Sequence, residues 1–148
     1  MSSRDWLLLG HTEFLNQLQL FREANRQVKQ KIGPDSIHSK QAQQLKALTL
    51  AIWTKVPSNP GQPEFRLGNS LGKEHTHWFR AKFLQQFRLF FRYSTKSEIV
   101  AYGWVNDPET LREYGSKTDA YAVFKKMLES GRVPNNWDEL VAESKRLS

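Results

Sequence analysis

The segment Phe87-Arg88-Leu89-Phe90-Phe91-Arg92-Tyr93 alternates in a way that a β-strand sorts onto two faces. Phe87, Leu89, Phe91 and Tyr93 fall on one side, and Arg88, Phe90 and Arg92 on the other. Upstream, Arg80 and Lys82 stand two residues apart and share a face of the preceding run. A hairpin that aligns those faces gathers four cations on one sheet surface, with Phe90 between Arg88 and Arg92. Such a surface suits a phosphate backbone and an unstacked base. The same alternation also describes the wet side of an ordinary antiparallel sheet, so the pattern by itself leaves both readings open.

A second set of polar groups follows the last candidate strand. Residues 106–117 contain Arg112, Tyr114 and Lys117, spaced so that a turn can aim them at the adjacent sheet face. Asp107-Pro108-Glu109 resembles a helix start, which explains part of that polarity without any function. Other chemistries are weakly represented. His75 and His77 alternate as strand ligands would, but only Glu74 lies nearby, a poor metal set. The stretch from Gly68 to Lys73 lacks the spacing of a phosphate-binding loop, and Ser70 is not in a nucleophile elbow. The reading is of no metal site and no cofactor.

The elements that must position these residues can be placed from composition and periodicity. The chain has 148 residues, the size of one ordinary domain, and a formal net charge of +7 that favours a polyanionic partner. It has no cysteine, which excludes disulfides and thiol catalysis. The apolar run Trp6 to Leu9 is too short to span a membrane, so the expected location is the cytoplasm, with no membrane partner. Phe14, Leu18, Phe21 and Val28 draw one helical stripe, and Leu45, Leu48, Ile52 and Val56 a second that Pro57 ends. Residues 1–56 are therefore expected to form a helical hairpin. Residues 57–105 hold a Pro/Gly-rich connector, then strands at His77–Phe83, Phe87–Tyr93 and Ile99–Val105, with Phe65-Arg66-Leu67 as a short edge strand. Residues 106–148 supply the functional loop and C-terminal helices, one capped by Thr118 or Asp119 and ended by Gly131, the other opened by Asn136. The order is α+β: the hairpin and the C-terminal helix are expected on one face of a small antiparallel sheet. Phe14, Leu18, Leu48, Ile52, Leu89 and Phe91 are the expected core.

The runs Phe65 to Gly72, Arg80 to Phe83, Phe87 to Tyr93, Gly103 to Asp107 and Lys117 to Tyr121 resemble the YhaV family of bacterial toxins. So does the ending Met127-Leu128, Gly131, Pro134 and Trp137. That family belongs to the RelE-like ribonuclease toxins of type II toxin–antitoxin systems. The resemblance implies an endoribonuclease, an mRNA interferase that arrests growth and acts on mRNA, with the ribosome as a further partner. It also implies a PrlF-like antitoxin of AbrB type, through which alone the pair contacts operator DNA. The antitoxin is expected either to cover the basic face or to dock on the helical hairpin. By motif the resemblance places catalysis on Arg88, Arg80, Lys82, Arg112, Tyr114 and Lys117, while the basic sheet pattern assigns RNA contacts to Arg92, Phe90 and Arg66. Arg88 is the expected bidentate clamp of a pentavalent phosphorane, so that Arg88→Ala should silence the enzyme and spare the fold. Lys82 or Lys117 can serve as base only if neighbouring cations lower its pKa. A non-catalytic RNA- or ribosome-binding module is the alternative.

Overall fold

The computed structural model describes residues 5–148. Strand β1 (Leu7–His11) leads directly into helix α1 (Thr12–Ile32), where the His11 ring accepts the Glu13 backbone N–H as a cap. A 3₁₀ turn (Gly33–His38) then reverses the chain into α2 (Lys40–Leu50), capped by the Ser39 hydroxyl. The helix does not stop at Leu50. It widens into a π-turn (Ala51–Lys55) and closes with α3 (Val56–Ser58). The widening has a cause in the sequence. The Val56 N–H reaches back to the Ala51 carbonyl, and the next bond in that register would need an N–H from Pro57, which has none. The Ile52 carbonyl thus left over accepts the buried hydroxyl of Tyr102 at 2.6 Å. Burial pushes the Tyr102 hydroxyl well above its ordinary pKa, keeping it the donor that this carbonyl requires.

Strands β2 (Phe79–Phe83), β3 (Phe87–Ser94) and β4 (Ile99–Val105) form an antiparallel meander. Leu84 and Gln85 both take positive φ, the mirror-image turn geometry that matches strand twist. Helices α4 (Ala120–Ser130) and α5 (Trp137–Ala142) follow, and a short β5 (Ser144–Arg146) completes the chain. Asp119 and Asn136 cap the two helices, and Gly131 ends α4 in the left-handed conformation.

The α+β class is as expected, and three particulars differ. The sheet has five strands in the order β2-β3-β4-β1-β5, and β1 runs parallel to β4, with Leu8 opposite Val100. It is therefore mixed rather than antiparallel. The four-residue run ending at Leu9 is short enough to pass for part of a helix, and a parallel partner far along the chain leaves no local signal. Residues Phe65-Arg66-Leu67 make only an isolated bridge, Arg66 to Phe79, rather than an edge strand. The helices also divide between the two faces. Phe14, Leu18, Phe21, Leu48, Ile52 and Val56 pack on Leu89, Phe91, Tyr102 and Val105. On the other face Tyr121, Phe124, Leu128 and Leu140 pack on Phe90, Trp104 and Trp78. The C-terminal helix thus lies opposite the hairpin rather than beside it.

One glycine keeps the two faces in phase. Tyr102 and Val105 share a face although three residues apart, because Gly103 forms a bulge opposite the step from Phe90 to Phe91. A Cβ at Gly103 would meet the Trp78 ring at 2.7 Å, so the position admits no side chain. Among the described residues, no helix is long and apolar enough to cross a membrane.

Candidate active site

The hairpin register does align the cationic faces. Lys82 sits opposite Arg88, and Arg80 opposite Phe90. Like charges directly across a strand pair are destabilising, so two cations facing each other there are not explained by sheet stability. The surface they make is not the open one that alternation alone predicts. The first turn of α4 crosses it, and the Tyr121 hydroxyl accepts from Arg80 Nε at 2.9 Å and from Arg88 Nε at 3.1 Å.

Arg88 is buried, with 7% of its surface exposed. Its Nη1 donates to the Gln85 and Phe87 carbonyls at 2.6 and 2.9 Å, tying the side chain to the β2–β3 turn. Nε and Nη1 are thus both committed, and a bidentate clamp on phosphate is not available to this residue. Its Nη2 makes no hydrogen bond among the described residues, and it is not a buried orphan. Arg80 is held likewise, its Nη1 donating to the carbonyls of Glu64 at 3.0 Å and Arg66 at 2.7 Å.

The loop after β4 supplies the facing wall. Asn106, fully buried, accepts the Arg88 backbone N–H at 2.7 Å and donates to the Gln86 and Thr110 carbonyls. The Arg112 backbone N–H donates to Gln86 as well, so the loop is stitched to the hairpin turn. The Arg112 side chain pairs with Asp119 at 2.6 Å and lies over two rings, 4.8 Å from the centroid of Tyr121 and 5.2 Å from that of Tyr114. Asp119 is buried and does three jobs: its carboxylate accepts from Arg112, from the Glu113 N–H and from the Tyr121 N–H that starts α4. Between loop and helix lies an open groove of about 430 Å³ lined by Ser70, Arg112, Tyr114, Asp119, Tyr121 and Lys125, among others.

The structure therefore brings together Arg80, Lys82, Arg88, Arg112 and Tyr114. Tyr114 is 92% exposed, and Lys117 is exposed on the same loop. It does not bring Phe90 or Arg92 to this groove. Phe90 is fully buried, stacked on Phe124 at 4.4 Å, because α4 covers the strand face that spacing alone left bare. A base cannot stack on it, and that expectation is corrected. Arg92 lies two residues beyond Phe90, where its Nη1 donates to the Asn135 carbonyl at 2.7 Å and its guanidinium lies over Trp137. Burial lowers its pKa from the ordinary arginine value. Arg66 is exposed, and its carbonyl rather than its side chain meets Arg80.

His75 and His77 converge on one atom. Asn135 Oδ1 accepts from His75 Nδ1, His77 Nε2 and Trp78 Nε1 at 3.0–3.1 Å. Burial, and next the nearby charge of Arg92, lower the His77 pKa. Among the described residues, no group of three His, Asp or Glu side chains is placed to hold a metal ion. Sequence reasoning missed Tyr121, Asp119 as an arginine anchor, Asn106 and Lys125. Tyr121 carried one usable signal: it is the tyrosine on the apolar stripe of α4, and a buried tyrosine hydroxyl needs a polar partner.

A family of toxins with endonuclease activity, belonging to toxin–antitoxin systems, matches residues 8–145. The ribonuclease toxin YhaV of Escherichia coli strain K12 is 40% identical over 142 residues, covering 94% of this chain and 92% of that protein. Toxin YhaV of Escherichia coli strain CFT073 matches to the same extent. No solved structure is significantly similar to the chain.

Proposed function

The chain belongs to the YhaV family of toxins with endonuclease activity, and from that premise we propose an endoribonuclease that cleaves mRNA by attack of a 2′-hydroxyl on the adjacent phosphodiester. The observation that supports this reading is the groove with Tyr121 at its floor, Arg80 and Arg88 beneath it and Arg112 beside it. RNA carries its own nucleophile, so the protein has to hold the phosphate, stabilise the charge that develops on it and move protons. Cations fixed in a partly water-excluded site do the first two. Arg112 is the direct phosphate ligand: Asp119 fixes its Nη1, and the other two guanidinium nitrogens make no hydrogen bond among the described residues. Arg88 and Arg80 act through the field of two charges held against the Tyr121 hydroxyl. Lys82, opposite Arg88, is the candidate base, with Lys117 second. Tyr114, almost wholly exposed, is placed to stack on an RNA base.

The proposed partners are mRNA, bound free or on the ribosome, and an antitoxin of PrlF-like, AbrB type that silences the toxin and links it to operator DNA. Acidic side chains of the antitoxin placed over Arg112 and Lys82 would neutralise the groove, and such binding weakens as salt rises. The test is cleavage of RNA in EDTA, with and without ribosomes, followed by mapping of the ends. Products ending in 2′,3′-cyclic phosphate or 3′-phosphate are expected. Tight RNA binding without cleavage under any of these conditions would replace the enzyme with an RNA-binding inhibitor of translation.

A further inference from the structure

The Tyr121 hydroxyl is held from two sides at the edge of the groove, and the sequence pattern gives it no task. Its oxygen accepts two charge-assisted hydrogen bonds, from Arg80 Nε at 2.9 Å and Arg88 Nε at 3.1 Å. A phenol oxygen has room for two such acceptances, so its own proton points elsewhere. No acceptor among the described residues takes that proton, and Tyr121 lines the open groove beside Arg112. The ring cannot swing away. Phe90 meets it edge-on at 5.6 Å, the Arg112 guanidinium lies 4.8 Å from its centroid, and Asp119 holds its backbone N–H.

If two guanidinium groups merely needed an acceptor, a backbone carbonyl or a carboxylate would serve, as both do elsewhere in this site. A hydroxyl differs from these in having a proton to give. We propose that Tyr121 is the general acid of the cleavage reaction, protonating the 5′-oxygen as it leaves. This rests on the ribonuclease reading above. In the step, the 2′-oxygen forms a bond to phosphorus while the bond from phosphorus to the 5′-oxygen breaks. The 2′-hydroxyl proton passes to a base, Lys82 in its neutral form or a water molecule. The 5′-oxygen takes the Tyr121 proton, and the phenolate left behind sits between the N–H groups of Arg80 and Arg88. A proton from water then restores the phenol. Arg80 and Arg88 become positioning residues that stabilise the spent acid, which accounts for their pointing Nε at tyrosine rather than into the groove.

A bridging sulfur in place of the 5′-oxygen decides the matter, because a thiolate leaves without a proton. In single-turnover assays with an RNA bearing one 5′-thio linkage and its all-oxygen counterpart, Tyr121→Phe should slow oxygen cleavage about 10²–10⁴-fold. It should cleave the sulfur substrate at close to the rate of the unaltered toxin. Equal loss on both substrates would overturn the proposal and leave Tyr121 as a positioning residue. Should Tyr121→Phe fail to fold, 3,5-difluorotyrosine placed at 121 keeps both size and hydroxyl. With it, the alkaline fall of oxygen cleavage should move to lower pH while the sulfur profile stays put; an unmoved oxygen profile would also overturn the assignment. Cleavage of neither RNA by the unaltered toxin, with or without ribosomes, would instead defeat the ribonuclease reading on which the proposal rests.

Discussion

Arg88 and Arg92 stand four residues apart on the same face of β3, and α4 with the segment after it runs along that face from one to the other. At the Arg88 end the covering residue is Tyr121, polar, with a groove beside it. In the middle Phe124 seals Phe90. At the Arg92 end Asn135 and Trp137 close over the guanidinium with a carbonyl and a ring. Equivalent strand positions thus become the edge of an open groove and a closed clasp. The alternation decides which side chains share a face, whereas the segment that lands on that face decides what each one can do.

Removing each arginine in turn separates the two ends of the strand. Arg88→Ala strips the Gln85 carbonyl and the buried Phe87 carbonyl of the side chain that donates to them and leaves the Tyr121 hydroxyl only Arg80, and it should cost about 2–4 kcal/mol of stability. This differs from the sequence-based expectation that the change spares the fold, and the measured loss decides between them. Arg92→Ala leaves one carbonyl and one ring uncovered and should cost about 1–2 kcal/mol. Urea unfolding measures both, and equal losses would mean that the two ends of β3 hold their arginines alike.

Arg112→Ala separates the two ends from the catalytic side. The single-turnover rate at saturating RNA should fall about 10²–10³-fold, far more than for Arg92→Ala, with a smaller loss of stability than Arg88→Ala. A rate close to that of the unaltered toxin would remove Arg112 from the phosphate.

A smaller effect belongs to the clasp alone. His77 has a folded-state pKa lowered by burial and by Arg92, whereas unfolded it titrates near 6.5. Its neutral form is favoured by folding, so its contribution is whole above about pH 6.5. That contribution falls away as pH drops toward the lower folded-state value. Acidification from pH 7.5 to 5 should therefore destabilise the protein, and His77→Gln should flatten that dependence; an unchanged slope would show that His77 is not its source. Least of all, Tyr114→Ala should shift stability by under about 0.5 kcal/mol, since the side chain is 92% exposed. Its effect should appear as weaker RNA binding at an unchanged saturating rate.

Much of this was legible in the chain. The stripes Phe14–Leu18–Phe21 and Leu48–Ile52–Val56, the β2–β3–β4 meander and the caps at Asp119, Gly131 and Asn136 are local patterns, and each is where the periodicity puts it. The cations of the groove were legible as types and spacing. Their bonding was not, because the Arg88–Tyr121 contact joins residues 33 apart, and no pattern within either element encodes it. Phe90 shows the limit in one residue. Between two arginines it resembles an exposed platform, and only the apolar face of α4, brought over from another part of the chain, makes it core. Strand β1 escaped notice for the same reason, its partner being β4.

That pairing of β1 with β4 should set the timetable of folding. The meander from Phe79 to Val105 joins neighbours in sequence, and closing its short turns sacrifices little chain entropy. Leu8 must wait for Val100, across both long helices and the connector, before it finds its hydrogen bonds. The strands bearing Arg80, Lys82 and Arg88 are therefore expected to assemble early, and β1 to join β4 late, giving β5 the edge on which it pairs. Pulse-labelled amide exchange during refolding should show β3 protected before β1. The reverse order would mean that the long-range strand, not the hairpin, nucleates the sheet.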